Sequence, residues 1–346
     1  MPFTSILPDT NAPVIRELDP SAAIPGGELQ ILGDHLSPAI YRQPVAMLGD
    51  LAAPVLMSRR DRMVIAVPEE AQSGQLRILR HGAQSNSVPV TVASLLAEGV
   101  HSVASPVMDE EGRVYATLSG ARGQETPVSV FRTEPSGEMQ PFATGIMNAT
   151  GLALDGAGFL YVSSRHTGTV YRVSPNGVVA TYAEGMGVAT GIAFDSEQNL
   201  YVGDRSGTIF KIAPDRQIFV FATLEPSVAA YHLAFGQEGT LYVSVPTASG
   251  HDSVYAIDSN GNTTPYFRGL GRPQGLAVDI AGDVYVVASH QGRRGVVRLP
   301  QEGEPSLAVA GDGLVGFSFT PRGTALLATR TAIYHVDLGI EGWRVF

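Results

Sequence analysis

The feature that most constrains this chain is an internal repeat. An apolar run ends at an anchor position, a glycine turn follows, and a tyrosine stands six positions after the anchor. Residues 150–169 read TGLALDGAGFLYVSSRHTGT, residues 190–208 read TGIAFDSEQNLYVGDRSGT, and residues 274–289 read QGLAVDIAGDVYVVAS. Weaker copies begin at Ser105, Tyr231 and Val315. The anchors are Asp109, Asp155, Asp195, Gly236, Asp279 and Thr320, spaced 40 to 46 residues apart. Six positions later stand Tyr115, Tyr161, Tyr201, Tyr242, Tyr285 and Leu326. Such self-similarity means that each copy is one supersecondary unit, burying its apolar faces against its neighbours.

Each copy goes on to a third β pattern, such as 170–173 or 209–212, and most have a fourth, such as 178–183. Four short strands per period, with no helical signal, is the sequence form of a propeller blade. Six copies predict an all-β chain with a six-bladed β-propeller over residues 94–346. Two segments compete to complete the sixth blade: 91–99, which aligns with a fourth strand, and 343–346 at the end of the chain. An unpaired edge would invite aggregation, so one of them is expected to fill it.

Composition agrees. The chain holds 39 Gly and 23 Pro, is 44% hydrophobic, and has only 16% charged residues. That balance favours short strands and tight turns over long surface helices. There is no cysteine, which excludes disulfides, thiol nucleophiles and Cys-ligated metals. A net charge of −10 argues against a nucleic-acid partner. Lys211 is the only lysine, so Schiff-base chemistry would have one candidate. No apolar stretch is long enough for a membrane span. The start lacks a secretory pattern, which places the chain as given in the cytoplasm, or outside the cell if the native N-terminus was trimmed.

The period is absent from residues 1–93. Short alternating runs separated by Gly and Pro turns predict a small antiparallel sandwich there. The order of its parts resembles the IPT/TIG immunoglobulin-like family. Pro20, Gly26 and Gly27 form the first turn, followed by Ile31 and Gly33. A hairpin with Gly49, Ala53 and Val55 comes next, then Val67, Pro68 and Gly74, and finally Ser85 and Asn86 before the last strand. In that family the fold often acts as a spacer or adhesion module. The basic cluster Arg59, Arg60 and Arg62 is read as a solvated hairpin, since a DNA reader needs a broad basic face.

The repeat places residues in space. Residues just before the first strand and just after the second share the face opposite the anchors, the expected ligand mouth. The polar departures there are Asn148, Ser164, Asp204, Tyr231, His232, Arg272 and Gln274, with Arg165, His166, Arg205, His251, Asp252, His290, Arg293 and Arg294 on nearby loops. His232 stands where four of six copies have Gly. Asn148, Asp204 and His232 form a plausible mixed O/N set for a divalent cation, Ca or Mg. The anchor aspartates are read as turn formers and the periodic tyrosines as packing residues. No G-x-S-x-G, H-E-x-x-H, Walker or EF-hand motif occurs.

Residues 272–279 (RPQGLAVD) and 200–204 (LYVGD) resemble NHL repeats, and 105–115 (SPVMDEEGRVY) is similar to the gluconolactonase-like six-bladed family. The second resemblance implies a divalent-metal lactonase whose metal is held by a Glu, two Asn and an Asp. Here the Glu position is Ala104, Asn148 matches one Asn, the second Asn has no counterpart, and Asp204 matches the Asp loosely. With no intact catalytic set, the chain reads as a binding scaffold for a small polar ligand, a glycan or a protein loop. The alternative is a lactonase with a rebuilt metal site.

Overall fold

The structure is a computed structural model that describes residues 12–38, 43–248 and 252–345. His251 and Phe346 lie outside the described residues. The fold is all-β; among the described residues there is no α-helix, only a 3-10 turn at Gln237–Gly239. Contacts divide the chain into two units: Met1–Ser94 with Leu307–Asp312, and Leu95–Ser306 with Gly313–Phe346.

The first unit has two sheets over one apolar core. One orders strands Val14–Asp19, Glu28–Asp34, Arg62–Ala66 and Val55–Ser58, all antiparallel. In the other, Gly74–Arg80 lies between Val88–Val92 and Val45–Leu48, and Leu51–Ala53 pairs with the latter. Alternation turns Leu29, Ile31, Met63 and Ile65 of the first sheet toward Ala46, Leu76, Ile78 and Val90 of the second. Asn86 ties a strand end down: its Nδ2 donates to Ile15 O at 2.9 Å and its Oδ1 accepts from Ile15 N at 2.8 Å. Ser85 Oγ accepts from Ile78 N at 2.8 Å. The segment from Leu307 joins this unit through Ala310, which pairs in parallel with Ala23 and accepts from Ile24 N at 3.0 Å.

The second unit repeats one antiparallel sheet. Blade two is typical: Ala149–Leu154, Leu160–Ser164, Thr169–Val173 and Val179–Ala183, paired in that order. Blades one, three and four follow the same order. Strands Leu276–Val278, Val284–His290 and Arg293–Leu299 make the corresponding part of blade five. In blade six, Leu314–Phe319, Ala325–Thr329 and Ala332–Val336 are completed by Ser94–Glu98. The competition for that edge is therefore decided in favour of the segment before the first repeat, and Gly99 N donates to Thr331 O at 3.0 Å. The end of the chain goes elsewhere: Gly342 bridges Asp279, and Trp343 N donates to Val278 O at 2.7 Å.

The anchor–tyrosine spacing has a chemical cause. Asp155 Oδ1 accepts the turn amides of Ala157 and Phe159 at 3.0 and 2.9 Å, while Oδ2 accepts Tyr161 Oη at 3.3 Å. Asp279 does the same with Ala281, Asp283 and Tyr285. The tyrosine ring then packs edge-on against the next blade, as Tyr161 does on Phe194 and Tyr201 on Phe235. Burial and the neighbouring carboxylate push the phenols up, to about 12 for Tyr115 and Tyr161. In blade six Thr320 Oγ1 replaces the carboxylate, accepting Arg322 N and Thr324 N.

The ring closes where the inner strands nearly touch. A Cβ on Gly151 would strike Thr190 O, and one on Gly191 would strike Tyr231 O. On Gly316 it would lie 2.6 Å from Ala104 O, and on Gly275 2.7 Å from the Cα of Gly316. Phe317 N donates to Ser105 Oγ at 3.2 Å and Ser318 Oγ to Pro106 O at 2.7 Å, so the sixth inner strand meets the first. Gly191→Ala is therefore expected to destabilise the protein by about 2–3 kcal/mol through overpacking. Gly239→Asn, at a left-handed turn with open space around it, should cost less than about 1 kcal/mol. Urea denaturation of both variants checks this.

Candidate functional site

Below the glycine level the inner strands part and leave a cavity of about 620 Å³. That lies within the roughly 300–1,000 Å³ of small-molecule sites. Its wall is the lower half of the inner strands, with Leu152, Ile192, Leu233, Leu276 and Phe317 at equivalent positions, and it reaches the anchor turns at Glu110 and Asp155. Trp343, Arg344 and Val345 also line it. Arg344 pairs with Glu110 of blade one, and Val345 packs on the cluster that holds Leu233 and Phe235. The end of the chain thus crosses the ring from blade five toward blades one and four.

Of the seven residues singled out from the sequence, only His232 lines this cavity. It begins the inner strand of blade four and is 5% exposed. No hydrogen bond reaches its ring from any described residue. Burial alone pulls its pKa down to about 4, so the imidazole is neutral at neutral pH, with one donor and one acceptor nitrogen. It is also the one large side chain at a level otherwise held by Gly or Ser.

The other six belong to the scaffold. Asn148 is buried with φ 50°; its Nδ2 donates to Gly120 O and Ala121 O at 2.9 Å, and its Oδ1 accepts from Gly123 N at 2.8 Å. Ser164 Oγ donates to Met147 O at 2.6 Å. Asp204 Oδ1 accepts from Val188 N at 2.8 Å, and Oδ2 accepts from Ser206 Oγ. Tyr231 is fully buried and its Oη donates to Glu225 O. The Arg272 side chain is exposed, and its backbone N donates to Asp252 Oδ2 at 3.0 Å. Gln274 Oε1 accepts from Arg294 Nη2 at 3.0 Å.

The lactonase resemblance implies a divalent cation, and the donor set does not fit one. The Asn148 amide is used on both atoms, both Asp204 oxygens have donors, and Ala104 supplies no ligand. Among the described residues no three His, Asp or Glu side chains are grouped to hold a metal ion. A hard cation needs several free oxygen ligands, and the residues named for it do not offer them.

The cavity's anchor-side lining and the Trp343–Val345 segment were not anticipated from the sequence. The lone tryptophan, Trp343, is the signal the sequence offers, and its place at 343–346 suggests no more than an edge strand.

An all-β ring of repeated four-stranded sheets around an axial cavity defines a β-propeller. No family model matches the chain, and no curated protein matches it. Solved structures do. A gluconolactonase from Xanthomonas campestris is 14% identical with a TM-score of 0.60, over 70% of this chain and 88% of its own. A protein of unknown function from Bacteroides thetaiotaomicron is 13% identical with a TM-score of 0.58, over 95% of this chain and 98% of its own. An auxiliary nutrient binding protein from the same organism is 12% identical with a TM-score of 0.52, again over 95% and 98%. At these identities the likeness is one of fold.

The His232 shift gives a pH prediction. Its folded pKa lies below the unfolded value of 6.5, so the unfolded chain binds the extra proton and stability falls as pH drops from 6.5 toward 4. Against His232→Gln, the wild type should lose about 2 kcal/mol more between pH 7.5 and pH 5. Burial also lowers His335, in the same sense in both proteins. Urea melts at the two pH values measure the difference; equal losses would remove His232 from the account.

Proposed function

We propose that this protein is a ligand-binding propeller, not a hydrolase, and that the axial cavity is where the ligand sits. The observation that carries this is His232: a neutral imidazole with no hydrogen bond from any described residue, lining a cavity of small-molecule size whose wall mixes apolar strands with polar turn residues. A ligand hydroxyl or carbonyl in the cavity would meet its one donor and one acceptor nitrogen. The ligand class that fits is a compact molecule with an apolar body and a few polar groups, such as a sugar derivative. Trp343 supplies an aromatic face beside it. Similarity along nearly the full length to an auxiliary nutrient binding protein supports the same reading.

Residues 1–93, which make up most of the first unit, are proposed to be an immunoglobulin-like module of the IPT/TIG type that acts as a spacer. Its two facing sheets over one core and the Ser85–Asn86 bonds support this. Residues 94–346 then form the binding domain.

A second reading, a divalent-metal lactonase, is favoured by the similarity to the Xanthomonas gluconolactonase. One experiment separates the two. Glucono-δ-lactone is added with and without Ca, Mg, Mn or Zn, while turnover is followed by acid release and binding by the emission of Trp343. A binding protein gives a saturable change in emission, weakened at least fivefold in His232→Leu, and no acid release above background. Metal-dependent acid release lost in Asp204→Ala would establish the lactonase instead.

A further inference from the structure

The two ends of the axial cavity differ. One end stops where the inner strands meet, at Gly151, Gly191, Gly275 and Gly316. A Cβ on Gly275 would also lie 2.6 Å from Ser105 Oγ, so blades five, six and one converge there. His232 takes the equivalent position in blade four. At the other end the strands part and the cavity reaches the anchor turns. Trp343, Arg344 and Val345 line that end. The open way into the cavity therefore runs past a segment of the chain itself.

The segment leaves blade six after Val336 and turns at Gly339, whose φ is 65° and whose N donates to Asp337 Oδ1 at 2.9 Å. It then runs along the inner strand of blade five. Ile280 N donates to Glu341 O at 3.0 Å, and Trp343 N donates to Val278 O at 2.7 Å. Between them Gly342 is buried flat against blade six, where a Cβ would strike Phe319 Cβ and Cγ. Beyond Gly342 the hold is light. Arg344 pairs with Glu110, but both side chains are exposed, and such pairs contribute little. Val345 is half-buried against the cluster that holds Leu233 and Phe235. Blade six does not need the segment, since its four strands are complete with Ala332–Val336 and Ser94–Glu98.

A segment with a glycine turn at its root, few backbone bonds and little buried apolar surface opens at lower cost than the strands it lies on. We propose that Glu341–Val345 is a strap across the cavity mouth, closed in this structure, which swings out about Asp337–Gly339 to admit the ligand and then closes with Trp343 over it. Gly342 is the seat of the closed strap: only glycine lies flat on Phe319. Glu110 is its light latch on blade one. Such a strap sets the rate of entry and release without contributing to the ring. The proposal rests on the reading that the axial cavity is where the ligand sits.

Two measurements test it, and the first needs no ligand. In native-state hydrogen exchange the Trp343 amide should exchange by local opening, well before the amides of Val162 and Val202 in the second strands of blades two and three. Gly342→Ala should speed Trp343 exchange about fivefold or more, and Glu110→Gln by up to about fivefold, with Val162 and Val202 unchanged. The second measurement follows entry of N-phenyl-1-naphthylamine, an uncharged fluorophore that brightens in apolar cavities, by stopped flow. Its association should be about fivefold or more faster in Gly342→Ala than in wild type, and at least as fast in a chain ended at Ile340. Exchange of the Trp343 amide only together with Val162 and Val202 would overturn the proposal. Equal association rates in wild type, Gly342→Ala and the shortened chain would also overturn it, while leaving the cavity as the binding site. No binding of the fluorophore to any of the three would overturn both the strap and the cavity reading on which it rests.

Discussion

The close approach of the inner strands is the constraint on which the propeller unit depends. At one level around the axis, backbone meets backbone so tightly that Gly151, Gly191, Gly275 and Gly316 cannot carry a Cβ without a collision. Ring closure needs that proximity, and the proximity dictates the glycine. It also shapes the cavity, since the strands part only below this level. His232 stands at the same position of its strand and lines that cavity.

Most polar side chains near the axis serve the frame. The anchor aspartates hold their turns and receive the tyrosine hydroxyls; Asn148, Ser164 and Asp204 hold the loops of the other face. A buried donor or acceptor left unmade costs more than a made one contributes, so such residues are bonded by default. What remains unbonded is therefore informative. The His232 ring in the cavity stands out.

The sequence makes the repeat legible because its chemistry is local. Asp, Gly and Tyr at fixed offsets are one turn and one hydrogen bond, recurring with substitutions over six copies. His232 was visible as a break in the glycine column. Asn148 and Asp204 were visible as polar residues, but their partners are backbone amides and carbonyls of loops whose course no spacing reveals, so they resembled ligands. The turn of Leu307–Asp312 toward the first unit and the course of Trp343–Val345 under the ring are long-range contacts without a periodic signature.

The most direct measurement of the central claim is the ¹⁵N chemical shifts of the His232 imidazole across pH 7.5 to 4.5. A neutral ring buried in the cavity predicts the two-nitrogen pattern of uncharged imidazole down to about pH 5, with protonation only near 4. A titration midpoint near 6.5 would mean that the ring is solvated or paired, and would contradict the site described here.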